Sequence, residues 1–347
     1  LGVSEIMNEI LVRGEIEYPV RFISSLEEIT SELPEDRQVV AVTTEKLEDL
    51  FDISTFFPNP ILMPDGESQK AFRNIERLMD EFATRGLTRN SLILAIGGGA
   101  TTDLVGFASS IYMRGIDWIA VPTSLAGMVD ASIGGKTGIN ISAGKNLVGS
   151  FHSPRAVYIM NSFLEDLPER DLKAGLAEVV KCGFIADPEI LELIEEGYGD
   201  NLSELIYRAI AVKARVVSLD FKEQGEREVL NYGHTLGHAI EAHSKFKLRH
   251  GEAISIGLVF AAELAARFGS LSNEEAGRHR SILEELGLPT RYEKNAWPEL
   301  FPLMKNDKKR RGAGIRFVIL SSIGKTERID SLSEADLRSI YDDVIAE

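Results

Sequence analysis

The sequence predicts an α/β protein in two parts: an N-terminal α/β domain on a parallel sheet over residues 1–165, and a mainly α-helical C-terminal domain over residues 166–347. Three observations predict it. Short apolar runs alternate with helix-patterned segments through the first half, the pattern of strands joined by crossover helices. Three glycines, Gly97-Gly98-Gly99, end one of those runs and open a helix. After about residue 165 the alternation stops, and long segments with helical spacing or strong helix formers take over.

Taken in order, residues 38–43 (Gln-Val-Val-Ala-Val-Thr) read as a buried strand, and residues 61–63 as a short apolar strand before Pro64. Residues 69–85 place Phe72, Ile75, Leu78, Met79 and Phe82 at helical spacing and close on Gly86. Residues 91–96 (Ser-Leu-Ile-Leu-Ala-Ile) form a strand, 102–113 a helix, and 118–121 a strand ended by Pro122. Residues 125–152 hold six glycines among small polar residues and read as an ordered binding loop. Helices follow at 171–184, 203–221, 234–243 and 253–268, and a late strand pair at 316–320 and 326–329.

Bulk properties narrow the function. The formal net charge of −16 argues against nucleic acid and anionic membrane as partners, since both require a basic surface. No apolar run approaches the roughly eighteen residues of a membrane span. No basic segment followed by an apolar core opens the chain, so no signal peptide is expected. The chain opens at Leu1, which points to processing or to excision from a longer polypeptide. The single cysteine, Cys182, fits a reducing, cytoplasmic compartment. Lys136, Lys145, Lys181, Lys213, Arg227 and Lys308 all lie in or beside the motifs below, and a cationic pocket on an acidic chain suits a small anionic substrate.

The glycine run continues as Gly99-Ala100-Thr101-Thr102-Asp103. Glycines let a pyrophosphate approach the backbone, and the helix N-terminus offers free N–H groups and a favourable dipole. The spacing is not G-x-G-x-x-G, so the domain is Rossmann-like without that fingerprint. A second strand–helix junction, Asp65-Gly66-Glu67-Ser68-Gln69-Lys70, adds polar groups within reach of a nucleotide, or simply caps a helix. Glu178 with two histidines suits Zn²⁺ or a similar divalent ion, and three protein ligands leave a coordination position for water or substrate. Spacing alone leaves the set open. His234 and His238 share a helix face, so that pair is as good as His234 with His250. Lys181 lies one turn after Glu178, placed to bind a substrate oxygen, to move a proton, or only to pair with Glu178.

The stretch from Gly97 to Pro154 resembles the 3-dehydroquinate synthase family almost throughout. The strings that carry it are Tyr112-Met113-Arg114-Gly115, Val121-Pro122-Thr123-Ser124, residues 129–140 (VDASIGGKTGIN) and residues 144–152 (GKNLVGSFH). The resemblance continues through residues 177–181 (AEVVK), 227–238 (REVLNYGHTLGH), 250–253 (HGEA) and Asp307-Lys308-Lys309.

The resemblance implies the metal trio Glu178, His234 and His250, with His238 at the substrate instead. It implies substrate and catalytic roles for Asp130, Lys181, Lys213, Arg227, Asn231 and His238, and phosphate contacts from Arg114, Asn146 and Lys308, with Arg114 reaching across a homodimer. It implies NAD contacts from Asp65, Gly66, Glu67, Lys70, Gly99, Ala100, Thr101, Thr102, Asp103, Thr123, Ser124, Lys136, Lys145, Phe163 and Asp166. Three departures fall on the NAD side: Thr43-Thr44-Glu45 where Asp or Asn is frequent, Thr101-Thr102 for a small apolar–Gly pair, and Ser124 for Thr.

The activity implied is conversion of 3-deoxy-D-arabino-heptulosonate 7-phosphate to 3-dehydroquinate and phosphate, with transiently reduced NAD and a zinc or cobalt ion. The rivals are a cyclase acting on a sugar phosphate without the C1 carboxylate, a metal-dependent polyol dehydrogenase that releases NADH, and a non-catalytic metal- and nucleotide-binding subunit. Arg227 lies four residues before Asn231 and seven before His234, so one continuous helix would turn it toward the metal, where it would hold the carboxylate.

Overall fold

The computed structural model describes residues 9–142, 144–309, 315–330 and 332–347, with the backbone alone for 306–309. The chain forms two units. One comprises Leu1–Leu167 with Lys213–Lys222, the other Pro168–Val212 with Glu223–Glu347.

The first unit is built on a seven-stranded sheet made of β1 (Glu9–Arg13), β2 (Glu17–Phe22), β3 (Val39–Thr44), β4 (Ile61–Met63), β5 (Leu92–Gly97), β6 (Asp117–Pro122) and β9 (Val157–Ile159). Its order is β1-β2-β9-β6-β5-β3-β4, and every pairing is parallel except β1 with β2. All six residues of β5 are buried, and β3 and β6 are buried from their second residue on. Strands covered on both faces read as continuous apolar runs, which is why these three are visible in the sequence. The chain leaves β3 toward β4 at the edge, then returns on the other side with β5 and β6. The strand order therefore reverses between β3 and β5, and the carboxyl ends of such strands are where parallel sheets bind nucleotides.

Most of the described residues in 125–152 form regular structure, which differs from the expected loop. A single π-type turn, Gly127–Ala131, leads into a hairpin of β7 (Lys136–Ile141) and β8 (Gly144–Phe151). The glycines are needed by the hairpin itself. A Cβ on Gly149 would stand 2.0 Å from the Thr137 carbonyl oxygen, and one on Gly138 2.8 Å from that of Val148. Glycine in a strand marks such close backbone approach as well as a loop.

Among its described residues the second unit is helical apart from one hairpin, β10 (Phe317–Ser322) with β11 (Lys325–Ile329). Three of its helices matter most: Glu169–Ile185, His234–His243 and His250–Phe268. They meet through glycines. A Cβ on Gly251 would lie 1.8 Å from the Ala174 carbonyl oxygen, and one on Gly237 3.1 Å from that of Ala253. The three helices therefore approach backbone to backbone, and their side chains converge from three directions. Among the described residues, no helix is long and apolar enough to cross a membrane.

Candidate active site

Those three helices bring Glu178, His234, His238 and His250 to one point in the second unit. Nitrogens of the three histidines all lie within 4.8 Å of one another. Glu178 Oε1 faces Nε2 of His234 at 3.6 Å and Nε2 of His250 at 3.4 Å. The other carboxylate oxygen, Oε2, accepts a hydrogen bond from Lys181 Nζ. Oε1 is buried and makes no hydrogen bond of good geometry, with His250 Nε2 standing 3.4 Å away, an expensive arrangement for a carboxylate oxygen unless a cation sits before it. Metal–ligand bonds of about 2.0–2.2 Å in a tetrahedron give ligand–ligand edges of roughly 3.3–3.6 Å. Both Glu178 distances fall there, so the donor set fits a divalent metal.

Hydrogen bonds prepare the nitrogens. His234 Nδ1 lies 3.0 Å from the Tyr232 carbonyl oxygen, which can only accept, so Nδ1 carries the proton and Nε2 keeps its lone pair for the cluster. Burial and the Lys181 ammonium hold the His234 pKa well below the ordinary histidine range, against the pull of Glu178. Burial alone would raise the Glu178 carboxyl, but Lys181, His250 and His234 outweigh it and hold it well below the carboxylate range. Burial opposes the charge on His250, yet Glu178 and Glu241 lift its pKa to about 10. Negative potential therefore concentrates where a metal would displace that proton.

Arg227 and Asn231 lie just upstream, but not on the expected continuous helix. A short 3₁₀ segment, Glu226–Asn231, ends at Tyr232, and Gly233 at φ +78° turns the chain before the helix that starts at His234. Helical spacing from Arg227 to His234 therefore does not apply. The Arg227 side chain is still almost wholly enclosed, 1% exposed. Asn231 Nδ2 donates to Glu223 Oε1 at 2.9 Å. Lys308 has its side chain outside the described residues.

In the first unit the glycine loop stands at the carboxyl end of β5. Helix Gly99–Ile111 starts from Gly98, with no side-chain cap on its first N–H groups. A Cβ on Gly97 would lie 2.4 Å from Thr101 Oγ1, and one on Gly99 2.9 Å from the Ala131 methyl, so a side chain at either place would force its neighbour to shift. Ala100 is half-buried beside them, and Thr102 Oγ1 donates to the Gly99 carbonyl at 3.0 Å. Thr123 N donates to Gly97 O at 3.0 Å, and Ser124 Oγ would meet a Cβ on Gly98 at 3.4 Å. An uncapped helix start behind a glycine turn fits a pyrophosphate.

Lys70, buried at 4% exposure, anchors the rim of this loop. Its ammonium pairs with Asp103 at 2.6 Å and Glu67 at 3.7 Å, and donates to Asn146 Oδ1. Burial opposes that charge, but Asp103 and Glu67 hold the Lys70 pKa above its ordinary value. Lys145 lies 3.9 Å from the same Glu67. Asp65 and Gly66 are exposed at the preceding turn, and Lys136 is exposed at the start of β7. Phe163 is buried edge-on to Phe51 at 4.8 Å, with Asp166 exposed three residues on. Asp130, in the turn before the hairpin, forms an ion pair with the buried Lys213. Arg114 is exposed in a turn where Met113, Arg114 and Gly115 all have positive φ.

Sequence reasoning missed one residue at the cluster. Glu241, 5% exposed, places Oε2 3.3 Å from His250 Nδ1. The signal was available: His234, His238 and Glu241 stand at i, i+4 and i+7, one face of a helix.

Two family models match consecutive parts of the chain, the 3-dehydroquinate synthase N-terminal domain over residues 60–174 and the C-terminal domain over residues 175–310. A 3-dehydroquinate synthase from Pseudarthrobacter chlorophenolicus is 48% identical over 314 residues, covering 88% of this chain and 86% of the relative. One from Corynebacterium glutamicum is 41% identical across 99% of both chains. Among solved structures, a 2-deoxy-scyllo-inosose synthase complexed with carbaglucose-6-phosphate, NAD⁺ and Co²⁺ superposes with a TM-score of 0.87, at 25% identity over 97% of this chain and 100% of the other. With both family models spanning more than half of its length and close relatives along most of the rest, the chain belongs to the 3-dehydroquinate synthase family.

Proposed function

We propose that this chain converts 3-deoxy-D-arabino-heptulosonate 7-phosphate to 3-dehydroquinate and phosphate, using NAD and a divalent metal, zinc or cobalt. The observation that carries the reading is the buried Glu178 Oε1 facing two histidine nitrogens, in a chain 48% identical to named 3-dehydroquinate synthases. Glu178, His234 and His250 would hold the metal, and the glycine loop with Asp65, Gly66, Glu67, Lys70, Asp103, Thr123, Ser124, Lys136, Lys145, Phe163 and Asp166 would hold NAD. When bound, the metal supplies Lewis acidity at substrate hydroxyls and the nicotinamide a reversible hydride acceptor.

The chain's own residues bind and orient the substrate. Arg227 offers a planar fork to the C1 carboxylate, with Lys213 as a second cation. Asn231 and His238 hold hydroxyls, and Lys181 and Asp130 stand ready to exchange protons. Arg114, Asn146 and Lys308 receive the phosphate. Oxidation at C5 acidifies the C6 proton, phosphate leaves, and reduction at C5 follows. Ring opening and an intramolecular aldol closure finish the sequence with no net redox change. The family resemblance also supports a homodimer, and the single buried Cys182 a cytoplasmic enzyme; sedimentation at micromolar concentration tests the former.

The second reading, a cyclase acting on a sugar phosphate without a carboxylate, is favoured by the solved 2-deoxy-scyllo-inosose synthase. Turnover of the heptulosonate phosphate and of a hexose 6-phosphate, measured side by side, separates them. Turnover of the hexose phosphate alone overturns the proposal. In the same assay His250→Ala should lose bound metal and most activity, and a fully active, metal-free variant contradicts the site.

A further inference from the structure

We propose that Glu241 is a positioning residue of the metal centre: its carboxylate fixes the His250 ring and makes it a stronger donor than His234. The inference rests on the reading of His250 as a metal ligand. A histidine that binds metal through Nε2 must carry its proton on Nδ1, and the group that accepts that proton sets the ring's orientation and basicity. His250 turns Nε2 to the cluster, 3.4 Å from Glu178 Oε1, and Nδ1 to Glu241 Oε2 at 3.3 Å. His234 is oriented differently, with Nδ1 on the neutral Tyr232 carbonyl. The two imidazoles therefore differ in the charge behind them. Glu241 comes from helix His234–His243, the element that also carries His234 and His238, so one helix presents both a ligand and the support of the ligand on the next helix. At 5% exposure the carboxylate is withdrawn from water, a cost that a plain surface helix pair does not bear.

The test uses zinc-loaded wild type, Glu241→Gln and Glu241→Leu, each titrated with a competing chelator of known zinc affinity. Visible spectra of the cobalt-substituted proteins are recorded alongside. Gln keeps the shape and a neutral acceptor but removes the charge. The expected result is a loss of zinc affinity of about 10–100-fold in Glu241→Gln, at least as great in Glu241→Leu, with a shifted cobalt spectrum. A merely structural glutamate would leave the spectrum in place. Folded Glu241→Gln protein within about twofold of wild-type affinity, with an unchanged spectrum, overturns the proposal whatever the Leu variant does. Wild type that takes up neither zinc nor cobalt overturns the metal reading, and this inference with it.

Discussion

Gly257 and Gly233 meet backbone to backbone: a Cβ on Gly257 would stand 1.9 Å from the Gly233 carbonyl oxygen. This contact sets the distance between helices His234–His243 and His250–Phe268, and so between His234 and His250. The same Cβ would also lie 3.0 Å from Gly237 N. Neither obstacle is a flexible side chain, so relief requires the helices to part.

Gly257→Ala is therefore expected to destabilise the fold by about 3 kcal/mol or more, the upper range for overpacking, and to weaken metal binding. Gly277→Ala is the control. Gly277 lies in helix Asn273–Glu285, and its Cβ would meet nothing within 4 Å. That substitution should stabilise by roughly 0.4–1 kcal/mol through the unfolded chain. Urea unfolding of both variants checks the pair, and equal midpoints would contradict the packing argument.

His279 gives the protein a defined sensitivity to acid. It is wholly buried, stacked on Phe184 at 3.4 Å, with Nδ1 donating to the Glu275 carbonyl at 2.7 Å and Nε2 accepting from Tyr232 Oη at 2.8 Å. Burial holds its pKa down to about 3. The unfolded chain takes up this proton near its ordinary pKa of about 6.5 while the folded chain refuses it, so stability falls as pH drops from 6.5 toward 3. Between pH 7 and 5 the contribution lost is about 2 kcal/mol. His279→Gln should be less stable at pH 7, yet lose about 2 kcal/mol less than wild type on going to pH 5. Parallel pH profiles for the two proteins would refute the assignment.

Arg227→Met tests carboxylate recognition. Losing a buried, charge-assisted contact costs roughly 2–5 kcal/mol in transition-state binding. kcat/KM on the heptulosonate phosphate should fall by about two orders of magnitude or more, while metal content and NAD⁺ affinity stay near wild type. A folded variant with unchanged kcat/KM would reopen the choice among cyclases.

How far the sequence was legible depends on what each residue reports locally. β4, β5 and the helix over Phe72–Thr84 were visible because burial imposes a period or an apolar run. β1 and β2 were not: β1 is the edge strand, β2 lies between it and β9, and charges along the pair, Arg21 on Glu9 at 2.8 Å and Arg13 on Glu17 at 3.0 Å, interrupt the apolar pattern. Charged edges resist further pairing and hide the strand pattern. The hairpin of β7 and β8 was hidden by glycines that serve its close approach. At the Glu178–histidine cluster, spacing offered His238 and His250 as equal companions of His234, and the fold gathers all of them. The bend at Gly233, with φ of +78°, is set by tertiary packing, and so the helix read through Arg227 to His234 fails.

The most direct measurement follows phosphate, 3-dehydroquinate and NADH together while the metal-loaded protein turns over the heptulosonate phosphate with substoichiometric NAD⁺. Phosphate and product are expected to rise in equal amounts through many turnovers per NAD⁺, with no net NADH. Product that stops at one equivalent of NAD⁺, or NADH that accumulates in step with it, would contradict the synthase reading and make this chain a dehydrogenase.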